Sequence, residues 1–319
     1  MLLYPAVACA ASMTAGPGQN VSLSGNVVLS NADTVDLVGT AASPCVLQGN
    51  NFGFQTIDST WSGHLVIKNC LIQNLGSAAN HALQLTLENA AYLDIENTTW
   101  TSSSSVDLRT FGTSAVTFRQ NVVSDNSVFP VTKEFSESRP FLNEIGTSTS
   151  QKFFQSNKIY KGGMYVASPN WLIGGDADSD GNLIIGLRAR ISATGSGCVI
   201  KHNYTHVLLP VDPVSTYWGQ VANFSLGPGS LAENNVIRTA HWVARQIDGE
   251  FRSNLVTEVN GHNLVQAGSG KIHDNIFAHV FPGAARYGDT APLAAISLIS
   301  QVYATDAMQF YNNTLDARN

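Results

Sequence analysis

Charged residues are scarce in this chain. Asp, Glu, Lys and Arg make up 13% of its 319 residues, and 17 Lys and Arg against 23 Asp and Glu give a net charge of −6. A nucleic-acid-binding surface needs a clustered excess of Lys and Arg, which this sequence lacks. It also lacks an uninterrupted apolar run of about 18 residues, the length that suggests a membrane-spanning helix. The composition therefore predicts neither a nucleic-acid partner nor a membrane span.

Cysteine is also rare. The chain has four cysteines, which are too few for a disulfide scaffold in a chain of this length. Cys9 and Cys45 stand near the N-terminus, where they could form one disulfide or stay unpaired. Cys70 and Cys198 lie within apolar strings, which predicts buried and inert thiols.

The N-terminus and the polar composition bear on cellular location. The stretch "MLLYPAVACAAS" is apolar but lacks the basic residues that begin a signal peptide, so we interpret it as a first strand or a trimmed end. The chain is rich in Ser, Thr, Asn and Gly, as many secreted proteins are. These features favour an extracellular or cell-surface protein, bacterial or viral in origin.

One short pattern recurs along most of the chain. The strings "GEFRSNLV" and "GKIHDNIF" each carry an apolar third position and an Asn sixth, at Asn254 and Asn275. Further copies place an Asn at the same position, namely Asn121, Asn157, Asn203, Asn235 and Asn313. In two earlier copies Cys70 and Thr98 take the Asn position. The core period is roughly 20 residues, which is typical of a solenoid.

The repeat predicts short strands, because its apolar residues alternate with a period of two. A single strand of this kind cannot bury its apolar face, but a stack of them forms a continuous core. Successive turns lie ~4.8 Å apart, so an Asn at a fixed position would form an internal ladder with a structural role. The competing leucine-rich repeat has an L-x-x-L-x-L signature that this sequence lacks.

These strings resemble the right-handed parallel β-helix of the pectin-lyase-like superfamily over about residues 20–319. The resemblance implies an all-β fold of about ten turns with three parallel sheets. We expect one domain over residues 1–319, with an N-terminal edge at 1–25. The superfamily includes lyases, glycoside hydrolases, epimerases, esterases, tailspikes and adhesins, so the fold alone leaves the activity open.

Three breaks in the period predict where the function lies. Inserts near residues 132–151, 208–229 and 281–307 lengthen three turns, and inserts on a rigid support protrude as loops. If they leave the same side of the rod, they wall a cleft whose floor is formed by the tight turns between them.

That floor holds the densest set of reactive side chains. Equal offsets from the repeat Asn place residues of adjacent turns on the same face, as with His206 three residues after Asn203 and Arg238 three residues after Asn235. The predicted catalytic residues are His241, Arg245, Glu258 and His262. The predicted substrate-binding residues are Arg238, Trp242, Tyr217, Trp218 and Asp248.

Each type of side chain suggests a role. Either His241 or His262 could exchange protons near neutral pH, and Arg245 could neutralise a substrate carboxylate. Glu258 could orient the substrate or act as an acid, and a pair of Glu258 with Asp248 would instead suit glycoside hydrolysis. The tryptophans could stack on sugar rings.

The alternative is that these charges form an exposed salt-bridge ladder without a catalytic role. A patch of Arg238, Arg245 and Arg252 could offset the net negative charge toward an anionic substrate.

Catalytic signatures of known relatives are lacking. The sequence has neither the vWiDH string of pectate lyases nor the adjacent aspartates of polygalacturonases, and "NGHN" and "RYGDT" match other family motifs only in part. No catalytic residue is therefore carried over from these families.

A calcium site is a further possibility. Asp176, Asp178 and Asp180 before Gly181 match the first half of a calcium-binding loop. The twelfth position of that loop is Leu187 instead of Glu. The string "WLIGGDADSDGNLIIG" also fits a β-helix repeat whose central loop varies freely, so both interpretations stay open.

The sequence thus leaves two classes of function. The first is a secreted carbohydrate-active enzyme, a lyase or a glycoside hydrolase, that cleaves a polysaccharide or oligosaccharide without a required cofactor. The second is a non-catalytic carbohydrate-binding, adhesin or tailspike-like rod. Either could be a monomer or a homotrimer. Because a solenoid needs capped ends, we also expect either a trimmed C-terminus or a last turn buried against another segment or chain.

Overall fold

The computed structural model describes most of the chain, and every structural statement below refers to that part. The described residues are 2–4, 12–56, 61–77, 79–124, 140–160, 162–186, 189–207, 222–240, 242–259, 263–278, 297–299 and 308–316.

The described strands form three sheets in which all neighbours are parallel. Sheet A contains β1 (Leu2–Tyr4), β3 (Asn20–Leu23), β6 (Cys45–Gln48), β9 (Cys70–Gln73), β12 (Thr99–Thr101), β15 (Val122–Ser124), β18 (Lys158–Tyr160), β21 (Leu183–Gly186), β24 (Tyr204–Val207), β27 (Val236–Ala240), β30 (Leu255–Val259), β33 (Ile276–Ala278) and β36 (Thr314–Asp316). Sheet B contains β4 (Val27–Leu29), β7 (Phe54–Thr56), β10 (Leu83–Leu87), β13 (Val106–Thr110), β16 (Leu142–Gly146), β19 (Met164–Val166), β22 (Ile191–Ala193), β25 (Ala222–Leu226), β28 (Trp242–Ile247), β31 (Asn263–Ala267) and β34 (Ser297–Ile299). Sheet C contains β2 (Ser12–Ala15), β5 (Thr34–Val38), β8 (His64–Lys68), β11 (Tyr92–Glu96), β14 (Ala115–Arg119), β17 (Lys152–Gln155), β20 (Trp171–Gly174), β23 (Val199–Lys201), β26 (Leu231–Glu233), β29 (Glu250–Arg252), β32 (Lys271–His273) and β35 (Gln309–Tyr311).

From β3 onward the chain visits the sheets in the repeating order A, B, C. The fold is a right-handed parallel β-helix, which confirms the predicted fold class. The only helical segment in the described residues is a 3-10 turn at Asp178–Asp180. Sheet A has 13 described strands, more than the ten turns expected, because the first turns lack the repeat Asn and the turn that contains Asn182 was not included in the pattern.

Alternation along each strand builds the core. In β13, Val106 and Leu108 point inward and are fully buried, whereas Asp107 and Arg109 face outward. Successive side chains of a strand point to opposite faces, so stacked turns align their apolar residues in one continuous interior. Apolar side chains fill most of that interior, which explains the short Val-, Ile- and Phe-rich strings of the sequence.

The corner between sheets C and A, termed the CA corner, carries the predicted Asn ladder. The backbone N–H and the Nδ2 of each Asn donate to the Oδ1 of the Asn one turn further on, at 2.7–3.1 Å. Asn182 is a rung that the sequence pattern did not include, and it joins Asn157 to Asn203. The residue before the ladder position adopts a left-handed backbone in most turns, at Asn69, Asn97, Gln120, Ser156, His202, Asn234, Ser253, Asp274 and Asn312. Polar residues such as Asn tolerate this conformation best.

The same column contains a disulfide at its N-terminal end. Cys45 and Cys70 are register partners on β6 and β9, with Cα atoms 4.6 Å apart, and they form a disulfide. This disulfide excludes the possible pairing of Cys9 with Cys45, and the prediction of an inert thiol at Cys70 is wrong. Neighbouring turns of the ladder column bring Cα atoms to a distance that suits a disulfide, which spacing along the sequence does not reveal. Cys198 is buried and unpaired, as predicted.

The glycines that open the repeat are required by close approach at the corner between sheets B and C, the BC corner. A Cβ at Gly249 would lie 2.1 Å from the carbonyl oxygen of Ser230, and a Cβ at Gly270 would lie 2.0 Å from that of Gly249. Only glycine lets successive turns stack this closely, so the repetition of "GEFRSNLV" as "GKIHDNIF" is structural.

The corner between sheets A and B, the AB corner, varies most in length. It covers residues 125–141, 208–221 and 279–296 in three turns, but only residue 241 between β27 and β28. The predicted inserts begin in these intervals of the sequence, but each predicted range also extends past the next strand of sheet B. Part of each range belongs to the β-helix itself, because β16, β25 and β34 lie within the ranges expected to be inserted.

The core also encloses two charged side chains. Lys152 of β17 is fully buried, and its Nζ donates to the carbonyl oxygens of Ser148, Ser150 and Pro169 at 2.8–3.1 Å. Glu144 of β16 is fully buried too and accepts hydrogen bonds from Thr110, from the backbone N–H of Ser168 and from Trp171. Burial lowers the pKa of Lys152, and the nearby Glu144 opposes that change.

None of the described segments is a helix with the length and hydropathy needed to cross a membrane.

Candidate functional site

Four polar side chains cluster on the outer face of sheet A, beside the AB corner. They are Tyr204 and His206 on β24, Arg238 on β27 and Glu258 on β30. His206 and Arg238 are direct register partners, as their equal offsets from Asn203 and Asn235 predicted. We refer to these four residues as the sheet A cluster.

Glu258 has an unusual backbone. Its φ is +59°, and it is the one non-glycine residue of the described strands with a positive φ. In β30, Leu255 and Thr257 face outward and Val256 faces inward, so strict alternation would turn residue 258 into the core. The left-handed conformation releases Glu258 from that alternation. Such a conformation costs a non-glycine residue of order 1–3 kcal/mol and is concentrated at functional sites.

The carboxylate of Glu258 binds the guanidinium of Arg238. Its Oε1 lies 3.1 Å from Nε and 3.0 Å from Nη2. This hydrogen bond, followed by one with Tyr204, raises the pKa of Arg238 above its ordinary value. Both partners are largely exposed, so their pair contributes little to stability. The pair is therefore better explained by a need to orient Arg238 than by a need for stability.

His206 is kept neutral in this environment. Partial burial, and then the positive charge of Arg238, lower the pKa of His206 below its ordinary 6.5, with Glu258 acting in the opposite direction. The ring of Tyr204 meets that of His206 edge-on, with centroids 6.3 Å apart. A neutral imidazole can accept a proton at neutral pH, so the cluster combines a base with an oriented cation.

Sequence reasoning included only half of this cluster. Arg238 and Glu258 were predicted site residues, whereas Tyr204 was not considered and His206 served only to set the register. Their spacing from the repeat could have indicated them, because Tyr204 and His206 lie one and three residues after the ladder Asn203, respectively.

The other predicted residues around the AB corner have a partial description. Arg245 lies at an irregularity of β28, where Phe224 pairs with Ala244 but Ser225 pairs with Gln246, so residue 245 is the extra one. Bulges of this kind re-aim a side chain and are frequent beside active sites. Trp242 begins β28, the strand that also contains Arg245, and for both residues the description is limited to the backbone. Four predicted residues lie outside the described residues: His241, His262, Tyr217 and Trp218.

Asp248 belongs to a different part of the molecule. It lies at the BC corner, where its carboxylate accepts hydrogen bonds from Gln246 and from the backbone N–H and hydroxyl of Ser269, the latter two at 3.0 and 3.1 Å. Glu258 is on sheet A, so the expected acid and base pair of Glu258 with Asp248 does not form. The structure gives Asp248 a role in joining two turns.

The proposed arginine patch is also divided. Arg238, Arg245 and Arg252 belong to sheets A, B and C of successive strands. Arg252 forms ion pairs with Glu233 at 2.7 Å and Glu250 at 3.2 Å. These pairs are part of a ladder of opposite charges on sheet C, which matches the alternative, structural interpretation for this residue.

The three aspartates of the possible calcium loop are separated. Asp176 pairs with Lys201 at 3.0 Å, Asp178 lies 3.6 Å from His202, and Asp180 accepts a hydrogen bond from the backbone of Ala177. The side chains of Asp176 and Asp178 are 95% and 98% exposed. No three His, Cys, Asp or Glu side chains of the described ranges, these aspartates included, come together in a group that could hold a metal ion.

The fold and its cluster define the class of this protein as a parallel β-helix with a candidate site beside its most variable corner. A scan against protein-family models and a search of curated proteins both return no match. The particular activity therefore has to be argued from the side chains themselves.

Proposed function

We propose that this protein is a secreted carbohydrate-active enzyme that cleaves a polysaccharide at the sheet A cluster. The observation that carries the proposal is the strained Glu258, whose carboxylate orients Arg238 one turn away from a neutral His206. Adjacent turns differ by only ~4.8 Å along the rod, so these groups can reach one sugar unit. The superfamily we propose on this basis is the pectin-lyase-like one.

The chemistry follows from the charges. Neutral His206 accepts a proton, either from a sugar carbon in β-elimination or from water in hydrolysis. Arg238 stabilises the negative charge that develops on the substrate, and Glu258 holds the guanidinium in position. Arg245 at the β28 bulge is proposed to complete the site together with His241 and His262, which lie in the sequence between strands of sheets A and B. The proposed proton transfers need no cofactor.

Secretion is supported by the disulfide between Cys45 and Cys70. Disulfides persist in oxidising environments such as the periplasm or the extracellular space. The location outside the cytoplasm is therefore part of the proposal.

A second function is favoured by a different observation. Sheet A exposes aliphatic side chains next to the cluster, where the register partners Leu255 and Ile276 are 38% and 50% exposed. Val236 is also a register neighbour of Leu255. Exposed apolar patches mark interaction surfaces, so a non-catalytic binding rod, in the form of a homotrimer, is the alternative.

The deciding experiment is a screen of uronate-containing and neutral polysaccharides. Absorbance of an unsaturated product identifies a lyase, and new reducing ends without absorbance identify a hydrolase. We expect His206→Ala and Glu258→Gln to lower the rate about 10²–10⁴-fold and about 10-fold or more, respectively. The control is Lys271→Ala, an exposed lysine on sheet C, which should leave the rate unchanged.

The alternative makes the opposite prediction. If the protein is a binding rod, neither an unsaturated product nor new reducing ends form. The polysaccharide still binds, and light scattering gives the mass of a trimer. Full turnover in a folded His206→Ala variant would refute the assignment of the base to the sheet A cluster.

A further inference from the structure

A second constellation lies on the sheet B side of the AB corner, several turns away from the sheet A cluster. It consists of His81 before β10, Ser105 before β13, Asp107 on β13 and Asn143 on β16. His81 Nδ1 is 2.9 Å from Ser105 Oγ, and His81 Nε2 is 3.9 Å from Asp107 Oδ2. Asp107 Oδ1 accepts a hydrogen bond of 2.9 Å from Asn143 Nδ2.

A nucleophilic role for Ser105 requires its hydroxyl to donate to His81. A serine hydroxyl that donates to Nδ1 requires the neutral imidazole to carry its proton on Nε2. That N–H then faces the carboxylate of Asp107, which stabilises an imidazolium once Nδ1 takes a second proton. Asn143 fixes the carboxylate from the next turn. Serine, histidine and aspartate thus lie in the order of a nucleophilic relay, with a hydrogen bond between the first two and a longer contact of 3.9 Å between the last two. Such a relay is recognised by geometry and roles and not by sequence position.

The exposure of these groups limits the substrate. Ser105 is buried, whereas the side chains of His81 and Asp107 are 17% and 31% exposed. A substrate would approach Ser105 from the side of the partly exposed imidazole. A buried nucleophile of this kind favours a small acyl group over a long one.

We propose that Ser105, His81 and Asp107 form a serine esterase site that removes short acyl groups, such as acetyl, from hydroxyl groups. Ser105 Oγ attacks the ester carbonyl carbon and passes its proton to His81 Nδ1. The bond from the carbonyl carbon to the alcohol oxygen breaks, and the imidazolium returns the proton to the departing alcohol. Water then attacks the acyl-serine with His81 as base, which releases the carboxylic acid and restores Ser105.

The test uses p-nitrophenyl acetate and p-nitrophenyl octanoate as substrates and diisopropyl fluorophosphate as a label. We expect hydrolysis of the acetate faster than that of the octanoate, and a phosphoryl adduct on Ser105 in peptide mass spectra. Ser105→Ala should lower kcat/KM for the acetate at least about 10²-fold and abolish labelling. Asp107→Asn, on the outward face, should lower kcat and change its pH profile, since it acts through His81.

The control separates catalysis from a structural contact. Ser103 is also buried, and its hydroxyl accepts a hydrogen bond of 3.2 Å from the backbone N–H of Leu75, in the corner segment that also contains His81. Ser103→Ala therefore removes a similar contact and should leave esterase activity unchanged. Equal rates in the wild type and Ser105→Ala, or labelling at another residue, would overturn the proposal. Because these turns contain no residue of the sheet A cluster, polysaccharide cleavage and ester hydrolysis can fail independently.

Discussion

Replacing Asn235 by Ala tests whether the ladder fixes the height of the turns that carry the sheet A cluster. Asn235 Oδ1 accepts from the N–H and the Nδ2 of Asn203, both at 3.0 Å. Its Nδ2 donates to the carbonyl oxygen of Ile200 at 2.9 Å and to Oδ1 of Asn254 at 2.9 Å. All of these bonds are buried, so water cannot replace them.

The magnitude follows from the groups left without a partner. Removing the amide strands the buried N–H of Asn203 and the buried carbonyl of Ile200, and each such group costs about 1–3 kcal/mol. We therefore expect Asn235→Ala to lower the free energy of unfolding by about 3–5 kcal/mol. Guanidinium denaturation measures the change, and hydrogen exchange at the Asn203 amide should accelerate at the same time.

Asn313 provides the matched comparison. It accepts from Asn275 in the same way, at 3.0 and 2.9 Å, but its side chain is only half-buried. Water can satisfy the groups exposed by Asn313→Ala, so we expect a loss of about 1–2 kcal/mol. If Asn235→Ala costs no more than Asn313→Ala, or if the Asn203 amide keeps its protection, the ladder does not fix the turns as argued.

Three further predictions concern charges and the disulfide. Arg238→Gln removes the cation that lowers the pKa of His206, so an NMR titration of the imidazole should show a higher pKa, and an unchanged or lower one would contradict the assignment. Lys152→Met leaves three carbonyls without a donor and should cost about 3–5 kcal/mol of unfolding free energy. Because burial lowers the pKa of Lys152 from 10.5, the unfolded chain binds the proton more tightly, and wild-type stability should rise relative to that variant as pH increases toward 10.5. Cys45→Ser should lower stability by about 2–4 kcal/mol, and dithiothreitol should abolish the difference from the wild type.

The fold could be predicted because the sequence pattern that produces it recurs in most turns. The apolar alternation and the repeated Asn encode both the strand and the buried corner, and Cys70 and Thr98 do occupy the ladder position, as expected. The disulfide could not be predicted in the same way. Cys45 and Cys70 become neighbours through stacking of turns, and the turns before residue 70 lack the Asn that would have set the register.

The site could be predicted only within a strand. Offsets counted from the ladder Asn correctly paired His206 with Arg238, because no corner intervenes. Past the end of a strand, the offset from the ladder Asn no longer fixes a position, because the number of residues between a sheet A strand and the next sheet B strand differs from turn to turn. Asp248 was therefore assigned to the wrong side of the rod. The left-handed backbone of Glu258 depends on local packing that no spacing encodes.

The division between a constant and a variable corner explains where chemistry can arise in this molecule. The CA corner is held by a buried ladder, so the residues that follow it, such as His206 and Arg238, start each turn at a defined height. The described residues of the AB corner form no such ladder, and the number of residues between the strands that flank this corner differs from turn to turn. Side chains on either side of that corner can therefore differ from turn to turn while their spacing along the rod stays fixed. Both the sheet A cluster and the constellation around His81 lie at this edge, which is where a stack of similar turns can change its surface at least cost to its stability.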